Sequence, residues 1–228
     1  MRLLLVGHGR MGRLVEALAP EQGWTVAAAL DARSGGRAIA DGDFGPVDMA
    51  IDFSVPDAVP HNLPQLAARG ISVVLGTTGW QPHEAVLRTE AERAGIGVLA
   101  AATFSLGLNL FQLIVEEAAR RFAAHDAYGA WIHELHHAAK KDAPSGTALQ
   151  LRTAMSGAGY ARPIDLSSTR AGSIPGTHTV GFDGPSETVT LTHTVRDRAV
   201  FARGALAAAA WLRGRTGWFT MRDMLTIP

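Results

Sequence analysis

The chain contains no cysteine. That excludes a disulfide framework and thiol catalysis, and it suits a reducing compartment. Neither sign of charge is in excess, since 21 Lys and Arg balance 21 Asp and Glu. No bulk field therefore draws the chain to nucleic acid or to an anionic membrane. No apolar run is long enough to cross a bilayer. The Ala-rich stretch from Ala205 to Leu212 falls well short of the roughly 20 residues required. Near the N-terminus, Leu3 to Val6 stops at Gly7, too soon for the apolar core of a signal peptide. Internal repeats and low-complexity linkers are missing too. What is present is a chain of 228 residues that is 47% hydrophobic, enough to fill one large core or two modest ones. The expectation is a cytoplasmic protein that spans no membrane and binds no nucleic acid.

The first half alternates short apolar runs with helix-like segments. Leu3 to Val6 reads as a strand buried on both faces, and Gly7-His8-Gly9-Arg10-Met11-Gly12 follows at once. A helix-like segment, Met11 to Ala19, comes next. This is G-x-G-x-x-G in the strand–turn–helix setting that a dinucleotide site needs. The glycines permit a tight turn, close approach of a pyrophosphate and close helix–strand packing. A second strand, Trp24 to Leu30, ends in Asp31, placed to accept hydrogen bonds from a ribose 2′-hydroxyl. Arg33 and Arg37 follow, and either could pair with a 2′-phosphate instead. The alternative is a Gly-rich turn that binds no nucleotide. Further strands are read at Val47 to Phe53, Ile71 to Leu75 and Ile96 to Ala101, with helices at Asp57 to Ala68 and His83 to Ala94. That alternation predicts a Rossmann-type, doubly wound parallel sheet. Loops at the carboxyl ends of such strands line the ligand crevice. Phe53, Gly76-Thr77-Thr78 and Ala101-Ala102-Thr103-Phe104 are therefore expected beside the cofactor, although each could be a plain turn.

The most chemically dense stretch is His136-His137-Ala138-Ala139-Lys140-Lys141-Asp142-Ala143-Pro144-Ser145-Gly146-Thr147-Ala148. Pro-Ser-Gly-Thr opens an uninterrupted helix-favouring run to Met155. Ser145 or Thr147 can cap the first turn. A helix N-terminus offers free N–H groups and a positive dipole end, which together make an anion site. Cations and titratable His lie just upstream, so the segment could hold a carboxylate or phosphate and place acids beside it. It could also be an ordinary capped helix behind a polar loop.

The second half reads as an α+β domain with a mixed sheet. Leu106 to Ala124 is helical in spacing, and Tyr128 to Leu135 reads as a strand. Gly157 to Pro163 reads as a linker and Arg170 to Thr179 as loop. His178 to Phe182 and Glu187 to Val195 read as paired strands, and Ala199 to Arg213 as a helix. The tail, Trp218 to Ile227, is expected to dock on the first domain. The domain boundaries expected are 1–105 for dinucleotide binding, 106–204 for substrate binding and oligomerisation, and 205–228 for the returning segment. His133-Glu134-Leu135-His136-His137 matches H-E-x-x-H, the zinc-protease pattern. That chemistry needs a continuous helix, and Ala127 to Ile132 is a poor helix body, so no metal site is expected. His178 and His193 are expected to be structural or interfacial, because nothing acidic or cationic clusters beside them in sequence.

The chain resembles the bacterial dihydrodipicolinate reductase (4-hydroxy-tetrahydrodipicolinate reductase) family of lysine and diaminopimelate biosynthesis. The resemblance lies in the long His136 to Ala148 segment. It extends to Gly9-Arg10-Met11-Gly12, Asp52-Phe53-Ser54, Gly76-Thr77-Thr78-Gly79, Phe104-Ser105-x-Gly107 and Arg170-x-Gly172, in order along the whole chain. The chain departs from the family in Ala138-Ala139, where many members carry Arg-His, and in Thr103, where Asn is usual. Its glycine loop is short and the chain compact. The resemblance implies reduction of a cyclic, unsaturated dicarboxylate by NADH or NADPH. It makes Lys140 the proton donor and His136 a second acid/base. His137, Ser145, Gly146 and Thr147 would bind the substrate carboxylates. Lys141 and Asp142 have no assigned role, and Asp142 could equally orient a neighbour. A homotetramer formed through the second-domain sheets is implied as well. Two other readings stay open: another two-domain nicotinamide oxidoreductase acting on an amino-acid-derived acid, and a non-catalytic nucleotide sensor.

Overall fold

The computed structural model describes residues 1–31 and 38–226. Arg33, with Ala32 and Arg37, lies outside the described residues. In chain order the elements are β1 (Arg2–Val6), α1 (Arg10–Leu18), β2 (Thr25–Leu30), α2 (Ala38–Asp41), β3 (Met49–Asp52), α3 (Val59–Ala68), β4 (Val73–Leu75), α4 (Glu84–Ala94), β5 (Gly97–Ala100) and α5 (Leu106–Ala123). Then follow β6 (Gly129–His136), α6 (Gly146–Gly157), β7 (Ile164–Arg170), β8 (Thr177–Asp183), β9 (Thr188–Thr194), α7 (Ala199–Leu212), β10 (Gly217–Phe219) and α8 (Met221–Leu225). They fall into two compact units, Met1–Leu106 with Ala199–Pro228, and Gly107–Arg198.

In the first unit, six parallel strands lie in the order β2-β1-β3-β4-β5-β10. The apolar run of β1 is continuous because helices cover both faces of the sheet. Leu3 and Leu5 join a cluster with Val15 of α1, Ala19 at its C-cap, and Ala205, Leu206 and Ala209 of α7. Leu4 and Val6 point the other way, into a cluster with Leu63 and Leu66 of α3 and Leu87 and Ala91 of α4. At about 1.5–3 kcal/mol for each fully buried aliphatic side chain, β1 alone makes a large contribution. Helix α7 comes very close to the Phe104 backbone at one point. A Cβ at Gly204 would stand 1.7 Å from the Phe104 carbonyl oxygen, so only glycine allows the backbones so close. The tail expected to dock here does more than pack. Its residues Gly217, Trp218 and Phe219 pair with Gly97, Val98 and Leu99 and extend the sheet. Thr220 and Asp223 then form a capping box that starts α8.

The second unit is a mixed sheet in the order β7-β6-β8-β9, with β6 and β7 parallel and the other pairs antiparallel. Strand β7 was not expected from the sequence, where its run of Asp165, Ser167, Ser168 and Thr169 gives little apolar signal. Loop structure holds only from Ala171 to Gly176, since β8 already begins at Thr177. Alternation along β6 buries Ala130, Ile132 and Glu134, while Trp131, His133 and Leu135 face the other side. Helices α5 and α6 cover the buried face, with Phe111, Val115, Leu151 and Met155 packed around Val180 and Phe182. Phe122 stacks on Phe182 at 4.3 Å between ring centroids. Among the described residues, no helix is long and apolar enough to cross a membrane.

Candidate active site

The winding of the first sheet reverses between β1 and β3, which is where open α/β sheets form a ligand crevice. Register places Leu30, Val6, Asp52, Leu75 and Ala100 level at the carboxyl ends of five neighbouring strands. The loops that follow them, with the first turn of α1, carry the described residues expected at the cofactor. Gly7 has φ +91°, and a Cβ there would lie 2.4 Å from the Phe53 carbonyl oxygen. A Cβ at Gly12 would lie 2.1 Å from the Gly7 carbonyl oxygen. Gly9 is the N-cap of α1, with no side-chain cap and open space where its Cβ would be. The first turn of α1 therefore presents its N–H groups to an uncluttered space, which fits a dinucleotide pyrophosphate. His8 is tied back to Glu16 at 2.6 Å, Arg10 is exposed and Met11 half-buried.

Asp31 follows β2 at the surface. Thr78, Ala101, Ala102 and Thr103 are at least partly exposed, and Gly76 packs so closely on Phe53 that a Cβ would meet the ring at 2.1 Å. Two expected cofactor side chains have structural duties instead. Phe104 is 1% exposed within the core, edge-on to Phe53, so only its backbone faces the loop. Thr77 is buried and donates to Asp52 at 2.9 Å. Asp52 also accepts from the Ser54 N–H at 2.8 Å and Asn62 Nδ2 at 3.1 Å, pinning two loops and α3 to one carboxylate.

In the second unit, the end of β6, the loop after it and the start of α6 gather the remaining expected residues. Ser145 is the N-cap of α6, and its Oγ accepts from the Ala148 N–H at 3.2 Å. The N–H groups of Gly146 and Thr147 have no partner among the described residues, and open space lies before Gly146. Lys140 Nζ donates to both Asp142 oxygens at 2.7 and 2.8 Å. His137 is half-buried just beyond β6.

The centre of the cluster is Glu134, whose place in the H-E-x-x-H match gives no sign of its role. Glu134 has a fully buried side chain. Its carboxylate accepts from His136 Nδ1, from Arg170 at 2.7 and 3.1 Å, and from the Ser145 N–H at 3.2 Å. Burial would push this carboxyl up, but hydrogen bonds from Arg170, Ser168 and His136 outweigh it and bring it to about 2. For His136, burial pushes the ring's pKa down and the pull of Glu134 only partly restores it.

His178 is also here, contrary to expectation. Pairing of β6 with β8 sets it opposite Glu134, although 44 positions separate them in sequence. Its Nε2 lies 3.2 Å from Ser145 Oγ and its ring is edge-on to His136. Burial, then the neighbouring His136, lower its pKa to about 4. His193 is set opposite His178 by the β8–β9 pairing, with its ring against Phe111.

The H-E-x-x-H residues occupy a strand, not a helix. His133 and His137 are thus about 13 Å apart along β6 and its extension, and His133 bonds Thr169 at 3.0 Å. Donor atoms of Glu134, His136 and His178 do lie within 4.8 Å of one another. Arg170 engages both carboxylate oxygens, however, so a cation would meet a guanidinium.

The family description "Dihydrodipicolinate reductase, N-terminus" matches residues 1–104, and "Dihydrodipicolinate reductase, C-terminus" matches residues 107–225. A 4-hydroxy-tetrahydrodipicolinate reductase from Stenotrophomonas maltophilia (strain K279a) is 40% identical, with 99% of this chain and 98% of the relative covered. One from Christiangramia forsetii is 33% identical over the same shares. Among solved structures, a dipicolinate-bound dihydrodipicolinate reductase from Paenisporosarcina sp. TG-14 superposes with a TM-score of 0.83 over 99% of both chains, at 19% identity. A probable dehydrogenase from Thermotoga maritima reaches 0.60 at 10% identity, covering 98% of this chain and 92% of its own. The chain belongs to the dihydrodipicolinate reductase family of NAD(P)H-dependent oxidoreductases of lysine biosynthesis.

Proposed function

We propose that the chain reduces 4-hydroxy-tetrahydrodipicolinate to tetrahydrodipicolinate, with the cluster on β6 and α6 as the substrate site. The observation behind this reading is one arrangement: unpartnered N–H groups of Gly146 and Thr147 at a helix start, with His136 and Lys140 gathered at the loop that leads into it. A dicarboxylate fits such a site, one carboxylate at the head of α6 and His137 toward the same or the other. When bound in the first unit, the reduced nicotinamide supplies the hydride. Gly7, Gly9 and Gly12 would seat its pyrophosphate and Asp31 its ribose.

Loss of the 4-hydroxyl as water gives the conjugated imine, and hydride addition to it leaves electron density that a proton must quench. Lys140 Nζ is the donor, and it must leave Asp142 to reach the substrate. Before that, its positive charge lowers the cost of the negative charge building in the ring. His136 serves as a second acid/base. Cytoplasmic location and tetramer assembly belong to the same reading. The latter is supported by an exposed apolar surface in the second unit, where Leu110, Ile114 and Val189 are 44%, 55% and 40% accessible. The test is consumption of reduced nicotinamide with freshly generated 4-hydroxy-tetrahydrodipicolinate. Turnover with this substrate and none with amino-acid semialdehydes is the expected result; cofactor binding without turnover would indicate a sensor.

A further inference from the structure

We propose that Glu134 is the positioning residue of this site, fixing the His136 ring with its proton on Nδ1 and its lone pair on Nε2, and tying the head of α6 to the same carboxylate. The proposal rests on the reading of His136 as an acid/base.

The argument begins with donor and acceptor capacity. An ionised carboxylate can only accept hydrogen bonds. Glu134 is kept ionised by a two-pronged contact from Arg170, Nη2 to Oε1 at 2.7 Å and Nη1 to Oε2 at 3.1 Å. His136 Nδ1, bonded to Oε2, must therefore be the donor. In the neutral ring this leaves Nε2 as the site that takes up or releases a proton. Space is kept beside that atom by Gly176, where a Cβ would stand 3.2 Å from Nε2. The other oxygen of Glu134 accepts the Ser145 N–H. One buried side chain thus sets the ring of the acid/base and the origin of the helix whose next two N–H groups are open. Lost placement of about 1 Å at such groups can cost a hundredfold in rate.

The charged and titratable groups around His136 come from every neighbouring segment. Glu134 lies on its own strand, Arg170 on β7, His178 on β8, and Lys140 and Asp142 on the following loop. Arg170 and Lys140 disfavour a second proton on the ring, and Glu134 favours it. Removing the carboxylate should therefore move the ring's titration to lower pH. A carboxamide in its place would point an N–H toward Nδ1 and turn the ring into the other tautomer.

The experiment uses the full chain labelled with 15N-histidine and long-range 1H–15N correlation spectra. In the wild type at neutral pH, His136 is expected to carry its proton on Nδ1. In Glu134→Gln it should carry it on Nε2. The variant's kcat should fall ten- to a hundredfold, and the acidic limb of its kcat/KM profile should move to lower pH. Affinity for NADH should stay within twofold. Glu134→Asp, which keeps the charge, should restore part of the rate. A wild-type ring protonated on Nε2 overturns the proposal, and this readout needs no variant to fold. So does a Glu134→Gln protein that melts earlier but keeps the wild-type tautomer and pH profile, since that is what a purely structural residue would give. His136→Ala with undiminished kcat would sink the acid/base reading and the proposal with it. The wrong tautomer beside a crippled His136→Ala would sink the proposal alone.

Discussion

Lys140 is held by Asp142 and sits one turn beyond β6. If it is the proton donor, Lys140→Ala should lower kcat by roughly 10²–10⁴-fold, the range for a lost general acid. NADH affinity should barely change, because the glycine loop belongs to the other unit. Stopped-flow binding and steady-state rates together check this, and near-normal kcat would remove Lys140 from the chemistry. His178 makes a prediction about stability. Its usual pKa of 6.5 falls to about 4 in the fold. Between those values the unfolded chain takes up a proton that the folded one refuses. Stability must then fall as pH drops from about 6.5 to about 4, by on the order of 3 kcal/mol. Glu134 works in a separate window, since its lowered pKa removes stability only below about 4.5. Urea denaturation at pH 7.5, 6 and 5 should show the loss, and His178→Gln should reduce it, leaving the smaller share from His136 and His193. At Asp31 the issue is cofactor choice. A carboxylate there favours a ribose hydroxyl and repels a 2′-phosphate, so NADH should serve at least as well as NADPH. A tenfold or greater NADPH preference in kcat/KM, abolished by Arg33→Ala, would show that the guanidinium outweighs the acid.

At the scale of elements, the head of α6 gives a test of carboxylate capture. Gly146 has open space where a Cβ would be and no positive φ, so Gly146→Val should fold. The added side chain would fill the approach to the two free N–H groups. KM for the substrate should rise severalfold or more while nucleotide binding persists; unchanged KM would mean that the helix start is only a cap. The same helix shows what sequence reading can reach. Ser145 and the apolar run behind it are a local signal, as are the glycines after β1 and the alternation that built the parallel sheet. Strand β7 was missed because Ser, Thr and Asp at its exposed positions hide the period. With it went the position of Arg170. The role of Glu134 could not be read locally at all. It exists only when β6 lies between β7 and β8 in one particular register, which sets Ser168 and His178 opposite Glu134. Pairing across 34 and 44 positions is decided by packing, not by the residues beside Glu134.

The whole molecule is a discontinuous unit with a continuous one inserted in it. Residues 1–106 contain the entire nucleotide fingerprint, yet they lack α7, whose Ala202, Ala205, Leu206, Ala209 and Leu212 complete one face of the core. They also lack β10, which covers the edge of β5. A fragment ending at Leu106 should therefore be soluble only with difficulty, and hydrogen exchange in β1 and β5 should be fast. Slow exchange there would show that the first segment needs no completion. This arrangement also imposes an order during synthesis. The inserted unit has all its residues once Arg198 has left the ribosome, whereas the older, N-terminal segment must wait for the last thirty or so. At roughly 5–20 residues per second, those first strands spend on the order of ten seconds with the β5 edge unpaired and the face that α7 covers exposed. The part of the chain made first is finished last.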